Sequence, residues 1–302
     1  MKKIKFSKYH ALGNDYIVID PNINEISLDP KTVALICHRN FGIGSDGILY
    51  GPTNIEGIPF LRIFNTDGSE AEKSGNGIRI FSKYLFDNGY QKDTFQLQTL
   101  SGIVEVSYLD DKAELIKVDM GTPTFISNEI PVSGPSREVV DEVININGRN
   151  FNMTCVSVGN PHCVVPVDDL SSTLAKEYGS GFENYPMFPN RINVQFLKVV
   201  DRNNIKIEIW ERGSSYTLAS GSSSTAAAWA ARKLGLVDDH VNVIMPGGRI
   251  KIEFDDKGHA HMTGSVTYVF CGEYELPDVI TLRYWNAKAK LILRSLAFAF
   301  VF

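Results

Sequence analysis

The sequence predicts an α+β protein built twice over: two pseudo-symmetric domains, each a curved, mostly antiparallel sheet wrapped around a central helix. Three observations carry this. Landmarks recur at a constant offset of 146 residues, so that Gly13-Asn14 answers Gly159-Asn160, Asn65 answers Glu211, Ser74-Gly75 answers Ser220-Gly221 and Gly102 answers Gly248. Chance glycine matches would drift as loops grew and shrank, so one unit has been used twice. Most of the remaining pattern alternates apolar and polar residues with period two, as half-buried strands do. Finally, two of the helical patterns are themselves a matched pair, and each stops at a glycine.

In chain order, residues 5–9, 16–20, 61–64, 95–97 and 103–106 alternate as strands, and so do 164–167, 205–210, 241–244, 250–254 and 266–271. Helical spacing predicts 32–39, 77–87, 170–178 and 223–234, the second and fourth being the matched pair. Gly89 and Gly235 stand just past those two, where a left-handed residue closes a helix at little strain. Residues 226–231, around Trp229, are small nearly all round, which suits a helix enclosed by sheet. Asp110-Asp111-Lys112 and Asp255-Asp256-Lys257 read as corresponding hairpin turns. His259 and His261 share one strand face, a spacing that metal sites use, but the turn before them makes an exposed hairpin the expected reading.

The predicted division is residues 1–120 plus a returning strand at 265–276, then 121–264, then a tail at 277–302. That tail ends in Ser-Leu-Ala-Phe-Ala-Phe-Val-Phe, too short to span a bilayer; docking on the body, an oligomer contact and no role at all stay open. A chain of 302 residues with 43% hydrophobic and 22% charged content has room for two domains. The formal charge of −5 gives no reason to expect nucleic acid or an anionic membrane, so a small molecule is the expected partner, with a homodimer also open. No secretory h-region or spanning stretch stands out, and the expected location is the cytoplasm. Cys37, Cys155, Cys163 and Cys271 show no paired spacing, so they are expected to be buried free thiols, and no metal or other cofactor is expected.

Two glycine-rich turns run into helix starts, one at Ser74-Gly75-Asn76-Gly77 and one at Ser220-Gly221-Ser222-Ser223. Such a turn exposes free amides at the positive end of a helix dipole and holds a carboxylate or phosphate. Singly, each serine reads best as a helix cap. As a facing pair, with Asn65, Asn76, Asn160, Asn193, Glu211 and Arg212 nearby in the pattern, they read as a binding site.

Leu12-Gly13-Asn14-Asp15, Gly42-Ile43-Gly44-Ser45-Asp46-Gly47, Asn65-Thr66-Asp67-Gly68-Ser69-Glu70, Ser74-Gly75-Asn76-Gly77-Ile78-Arg79, Gly159-Asn160-Pro161-His162, Trp210-Glu211-Arg212-Gly213 and Met262-Thr263-Gly264 resemble, in order and spacing, the motif series of the diaminopimelate epimerases. The resemblance spans roughly residues 4 to 275. It implies an active site in the cleft between the two halves and an epimerisation without pyridoxal phosphate or metal. Two opposed cysteines then act as base and acid on the two faces of the substrate α-carbon. Those positions are Ser74 and Ser220 here, and His162 and Glu211 occupy the places that tune the two thiols. The carried-over binding residues are Asn14, Asn65, Gly75, Asn76, Asn160, Asn193, Glu211, Arg212, Gly221 and Ser222.

An aliphatic hydroxyl is not tuned into an anion as a thiol is, and serine acts as a nucleophile only beside a base. Further departures stand at Ser215-Tyr216-Thr217, where the family has Gly-Glu-Thr, and at Ser222-Ser223, where it has Thr-Gly; these are expected to crowd the second site. The expected activity is cofactor-independent epimerisation of LL- to meso-diaminopimelate, a lysine and peptidoglycan precursor. The alternatives are a member with altered chemistry, a dehydratase or isomerase of another small acid, and an inactive relative that still binds an amino acid.

Overall fold

Each half threads through the same series of elements. The computed structural model describes residues 2–277, so the apolar tail lies outside the described residues. The first half comprises β1 (Lys2–Ala11), β2 (Asn14–Ile19), α1 (Pro30–Cys37), β3 (Gly47–Ile55), β4 (Ile58–Asn65), β5 (Glu70–Ala71), α2 (Gly75–Asp87), β6 (Phe95–Thr99), β7 (Gly102–Tyr108) and β8 (Leu115–Asp119). The second comprises β9 (Glu142–Ile146), β10 (Arg149–Ser157), β11 (Pro161–Pro166), α3 (Ser172–Glu183), β12 (Asn193–Asp201), β13 (Asn204–Glu211), β14 (Ser215–Thr217), α4 (Gly221–Lys233), β15 (His240–Met245), β16 (Gly248–Phe254) and β17 (Ala260–Ser265). A last strand, β18 (Thr267–Leu276), returns to pair along β1.

The pairings repeat as the elements do. Antiparallel β1–β2, parallel β2–β3, antiparallel β3–β4 and parallel β4–β6 in the first half correspond to β10–β11, β11–β12, β12–β13 and β13–β15 in the second. The two halves meet where β8 runs antiparallel to β17, with Leu115 opposite Ser265, Lys117 opposite Thr263 and Asp119 opposite His261. Adding the 146-residue offset to Leu115 gives His261, and adding it to Asp119 gives Ser265, so the register maps onto itself. Lys117 and Thr263 therefore mark the pseudo-twofold axis.

Both α2 and α4 are enclosed: every residue from Gly75 to Leu85 and from Gly221 to Ala231 is buried. Their side chains join one core that runs through both halves, including Ile78, Phe81, Ala226 and Trp229. The shorter α1 and α3 instead cover outer faces and build separate clusters around Val33 and Ile36, and around Leu174 and Phe182. The helices end alike. Gly89 (φ +74°) and Gly235 (φ +70°) take the left-handed conformation. Around them Tyr90 N bonds Leu85 O and Gly89 N bonds Phe86 O; in the second copy Leu236 N bonds Ala231 O and Gly235 N bonds Arg232 O, two Schellman closures.

Several expected boundaries move. The paired helices begin two residues earlier than the apolar stripe, at Gly75 and Gly221, because Ser74 and Ser220 are their N-caps. α1 also starts earlier, since the Asp29 carboxylate accepts from the Lys31 and Thr32 amides, and α3 runs on to Glu183. His259 and His261 sit in the expected hairpin but are half-buried rather than exposed, since β8 pairs along the other edge of β17, and each faces one carboxylate: Asp119 at 2.8 Å and Asp255 at 3.0 Å. Cys37, Cys155 and Cys163 are buried, but Cys271 is exposed on β18, correcting that expectation.

The two central helices touch end to end. A Cβ built on Gly221 would stand 2.8 Å from Met262 Sδ and 3.0 Å from Gly75 Cα; one on Gly75 would stand 3.1 Å from Gly221 Cα. Alanine at a helical position gains up to about 1 kcal/mol over glycine, whereas overpacking against backbone costs typically 1–3 kcal/mol. Gly221→Ala is therefore expected to lower stability by about 1–2 kcal/mol in a urea melt. A melt unchanged or shifted upward would show that the helix ends have slack.

Candidate active site

The abutting helix ends form the floor of one polar cleft. From the first half it is lined by Asn14 at the start of β2, Asn65 at the end of β4, and Ser74, Gly75 and Asn76 at the start of α2. The second half contributes Asn160, Asn193, Glu211, Arg212, Ser220, Gly221 and Ser222. Its volume, about 120 Å³, is below the roughly 300 Å³ at which ordinary ligand pockets begin. The occupant it admits is small.

Each helix start presents amides to this space. Ser74 Oγ accepts from Gly77 N at 3.0 Å, and Ser220 Oγ accepts from Ser223 N at 3.3 Å. The amides of Gly75, Asn76, Gly221 and Ser222 find no acceptor among the described residues. Four free N–H groups at two helix N-termini form a cradle for a carboxylate.

The asparagines are held from behind. Asn76 Nδ2 donates to Asn14 Oδ1 at 2.9 Å and to Ala219 O at 3.2 Å, crossing from one half to the other. Asn14 Nδ2 donates to Asp46 Oδ2, and Asp46 is in turn paired with Arg39. In the second half Asn193 Nδ2 donates to Pro161 O while its Oδ1 accepts the Arg212 amide, fixing the turn after β13.

The two serines have different neighbours. Ser220 is within hydrogen-bonding reach of the Glu211 carboxyl, whose pKa burial raises above the usual carboxylate value, Ser220 opposing and the Asp46 charge adding to the rise. Ser74 is within reach of the Tyr16 phenol, which burial holds protonated well above the ordinary tyrosine range. His162 makes no hydrogen bond to either serine and does not line the cleft. It is fully buried behind Asn160, with Nε2 2.9 Å from Asn160 Oδ1, and burial lowers its pKa to about 3. The neutral ring supports Asn160, which reaches Ser222 Oγ at 3.4 Å.

The crowding expected at the second site is not found. Of the divergent residues only Ser222 lines the cleft, and Tyr216 turns away to donate to Glu208 at 2.6 Å. Ser215 adopts a left-handed φ of +64°, a conformation that suits the glycine the resemblance puts there.

Sequence reasoning missed Tyr16, Glu72, Lys73 and Ser214, all of which line the cleft. The signal for Tyr16 was present, because the 146-residue offset carries it onto His162. Lys73 Nζ donates to Met120 O at 3.1 Å, and burial lowers its pKa against the pull of Asp119.

A family model described as diaminopimelate epimerase matches residues 6–126 and 154–269. The chain is 55% identical over 272 residues to the protein named diaminopimelate epimerase 2 of Nostoc sp., covering 89% of this chain and 95% of that one. It is 42% identical over 279 residues to diaminopimelate epimerase of Methanothermobacter thermautotrophicus, covering 89% and 98%. Among solved structures, a probable proline racemase from Agrobacterium radiobacter superposes with a TM-score of 0.70 at 13% identity, over 91% of this chain and 93% of that one. A hydroxyproline epimerase from Agrobacterium vitis gives 0.68 at 13% identity, over 92% and 94%. Those two show the shared fold, and the family match together with the close relatives shows the membership: the chain belongs to the diaminopimelate epimerase family.

Proposed function

We propose that this protein binds diaminopimelate in the cleft and interconverts the LL and meso forms by two-sided proton transfer at the α-carbon. The observation that carries the reading is the pair of capped helix starts abutting at Gly75 and Gly221, with four unpartnered amides turned to one polar cavity. The cradle takes the α-carboxylate, and the same amides stabilise the negative charge that builds on it when the α-proton leaves. Ser74 and Ser220 then stand at the two proton-transfer positions, Glu211 serving Ser220, while Asn14, Asn65, Asn160, Asn193 and Arg212 hold the rest of the ligand. The division into residues 1–120 with 265–276 and 121–264 and a cytoplasmic location belong to the same reading.

One observation favours a second reading, binding without turnover. Ser74 faces a protonated phenol, and His162, the histidine expected to serve a proton-transfer position, is neutral and turned to Asn160. Incubation of LL- or meso-diaminopimelate with the protein in deuterated water separates the two. Deuterium at the α-position is the expected result. A ligand-dependent rise in melting temperature with no deuterium uptake would leave the binding reading standing and overturn the epimerase. A product lighter by one water in mass spectrometry would replace both with a dehydratase.

A further inference from the structure

Arg79 is the largest completely buried side chain among the described residues, at 0% exposure. It lies in α2, one turn beyond Gly75. Nη1 donates to Gly75 O at 3.3 Å and approaches Met262 Sδ at 3.2 Å, and Nη2 donates to Asn76 Oδ1 at 2.9 Å. Nε has no partner among the described residues. Every contact is neutral. No carboxylate pairs with the guanidinium among the described residues, and burial alone lowers its pKa, to about 9, so it stays charged at neutral pH.

An unpaired charge in a core is strongly unfavourable, and arginine does not escape it by losing its proton. The fold nevertheless makes room for it. A Cβ on Gly264 would stand 3.0 Å from Arg79 Cζ, so the Met262-Thr263-Gly264 motif of β17 is the seat of the guanidinium beside the pseudo-twofold axis. The two residues it grips, Gly75 and Asn76, supply two of the four unpartnered amides at the cleft.

We propose that the ligand's carboxylate is the counter-ion Arg79 lacks: the buried guanidinium, acting through Gly75 and Asn76, is a positioning residue that makes the cleft select a carboxylate over its neutral isostere. This rests on the amino-acid reading only in taking the ligand to carry a carboxylate. The guanidinium sets the orientation of Asn76, whose Oδ1 it holds, so that Nδ2 faces Asn14 and Ala219. Its charge adds to that of the two helix ends and, being surrounded by protein, is poorly screened by salt.

The test uses acetate and acetamide, equal in shape and different in charge, on the full-length protein at constant ionic strength set with chloride. Thermal melts yield an apparent affinity for each. The parent is expected to prefer acetate by about fivefold or more. Arg79→Met and Arg79→Gln cut that preference several-fold, the helix ends and Arg212 supplying what is left, and Arg79→Lys, which keeps the charge but not the two-pronged grip, retains most of it. A parent indifferent between the two, or a folded neutral variant that prefers acetate as strongly as the parent, overturns the proposal. If neither neutral variant folds, Arg79→Lys decides: loss of the preference in a natively folded lysine variant means that hydrogen-bonding shape, not charge, is at work, and the proposal falls. Because acetate is no substrate, absence of α-deuterium exchange with diaminopimelate overturns the epimerase reading and leaves this result intact.

Discussion

Replacing Ser74 and Ser220 together by cysteine is expected to raise α-deuterium incorporation into diaminopimelate by about 10³-fold over the parent, a positioned acid–base group contributing typically 10²–10⁴. The ordinary thiol pKa is about 8.5, whereas an alkyl hydroxyl lies far above it, close to water. No helix terminus closes a gap that wide. Each serine oxygen occupies the N-cap of a 13-residue helix, accepting a first-turn amide at 3.0 Å and 3.3 Å. A sulfur in either place sits at the positive end of the dipole, where thiolates are stabilised.

The single variants should not be equal. Ser220 already has the Glu211 carboxyl within reach, while Ser74 has only a phenol held protonated, so the base missing from the parent is on the Ser74 face. Ser74→Cys alone should therefore gain more exchange than Ser220→Cys alone, and the double variant more than either. The measurement is α-proton loss followed by NMR in deuterated water. A folded double variant no faster than the parent would mean that the cleft is not built for proton transfer at an α-carbon.

How much of this was legible in the sequence depended on which residues carry a pattern. The 146-residue offset pointed to the paired helices, their glycine stops and the facing loops, because each rests on a local requirement: a cap, a left-handed residue, a close approach. It did not point to β12, where Asn193 to Leu197 are all buried and alternation disappears. The return of the chain at 265–276 to the first half was readable, and β18 pairs along β1, but the offset alone did not give that pairing. Within the site, the matched asparagines were readable by type and position. The orientation of His162 was not, since facing Asn160 rather than a serine depends on how β11 packs between β10 and β12. Arg79 was spelled out in the Ser74–Arg79 motif, but its lack of a counter-charge is a property of the assembled core.

His162 is also expected to make the fold acid-sensitive. Its ring is completely buried, Nδ1 has no partner among the described residues, and Nε2 meets a neutral amide oxygen. Burial lowers its pKa from 6.5 to about 3, Gln195 resisting and the Arg212 charge reinforcing. With the folded pKa below the unfolded one, the unfolded chain binds the extra proton as pH falls. Stability is thus retained above about pH 6.5 and lost progressively down to about pH 3. At about 1.4 kcal/mol per pKa unit the full loss is on the order of 5 kcal/mol, comparable to the whole stability of a marginal domain. Urea melts of the parent and of His162→Gln, which removes the titration and keeps a hydrogen-bonding side chain, should diverge below pH 6. The parent should lose about 1.4 kcal/mol more per pH unit between pH 6 and pH 4. Parallel stability curves would mean that the ring is charged in the folded protein or reached by water. The same protonation would force His162 out from behind Asn160, so ligand binding in the cleft should fail on the acid side before the rest of the fold does.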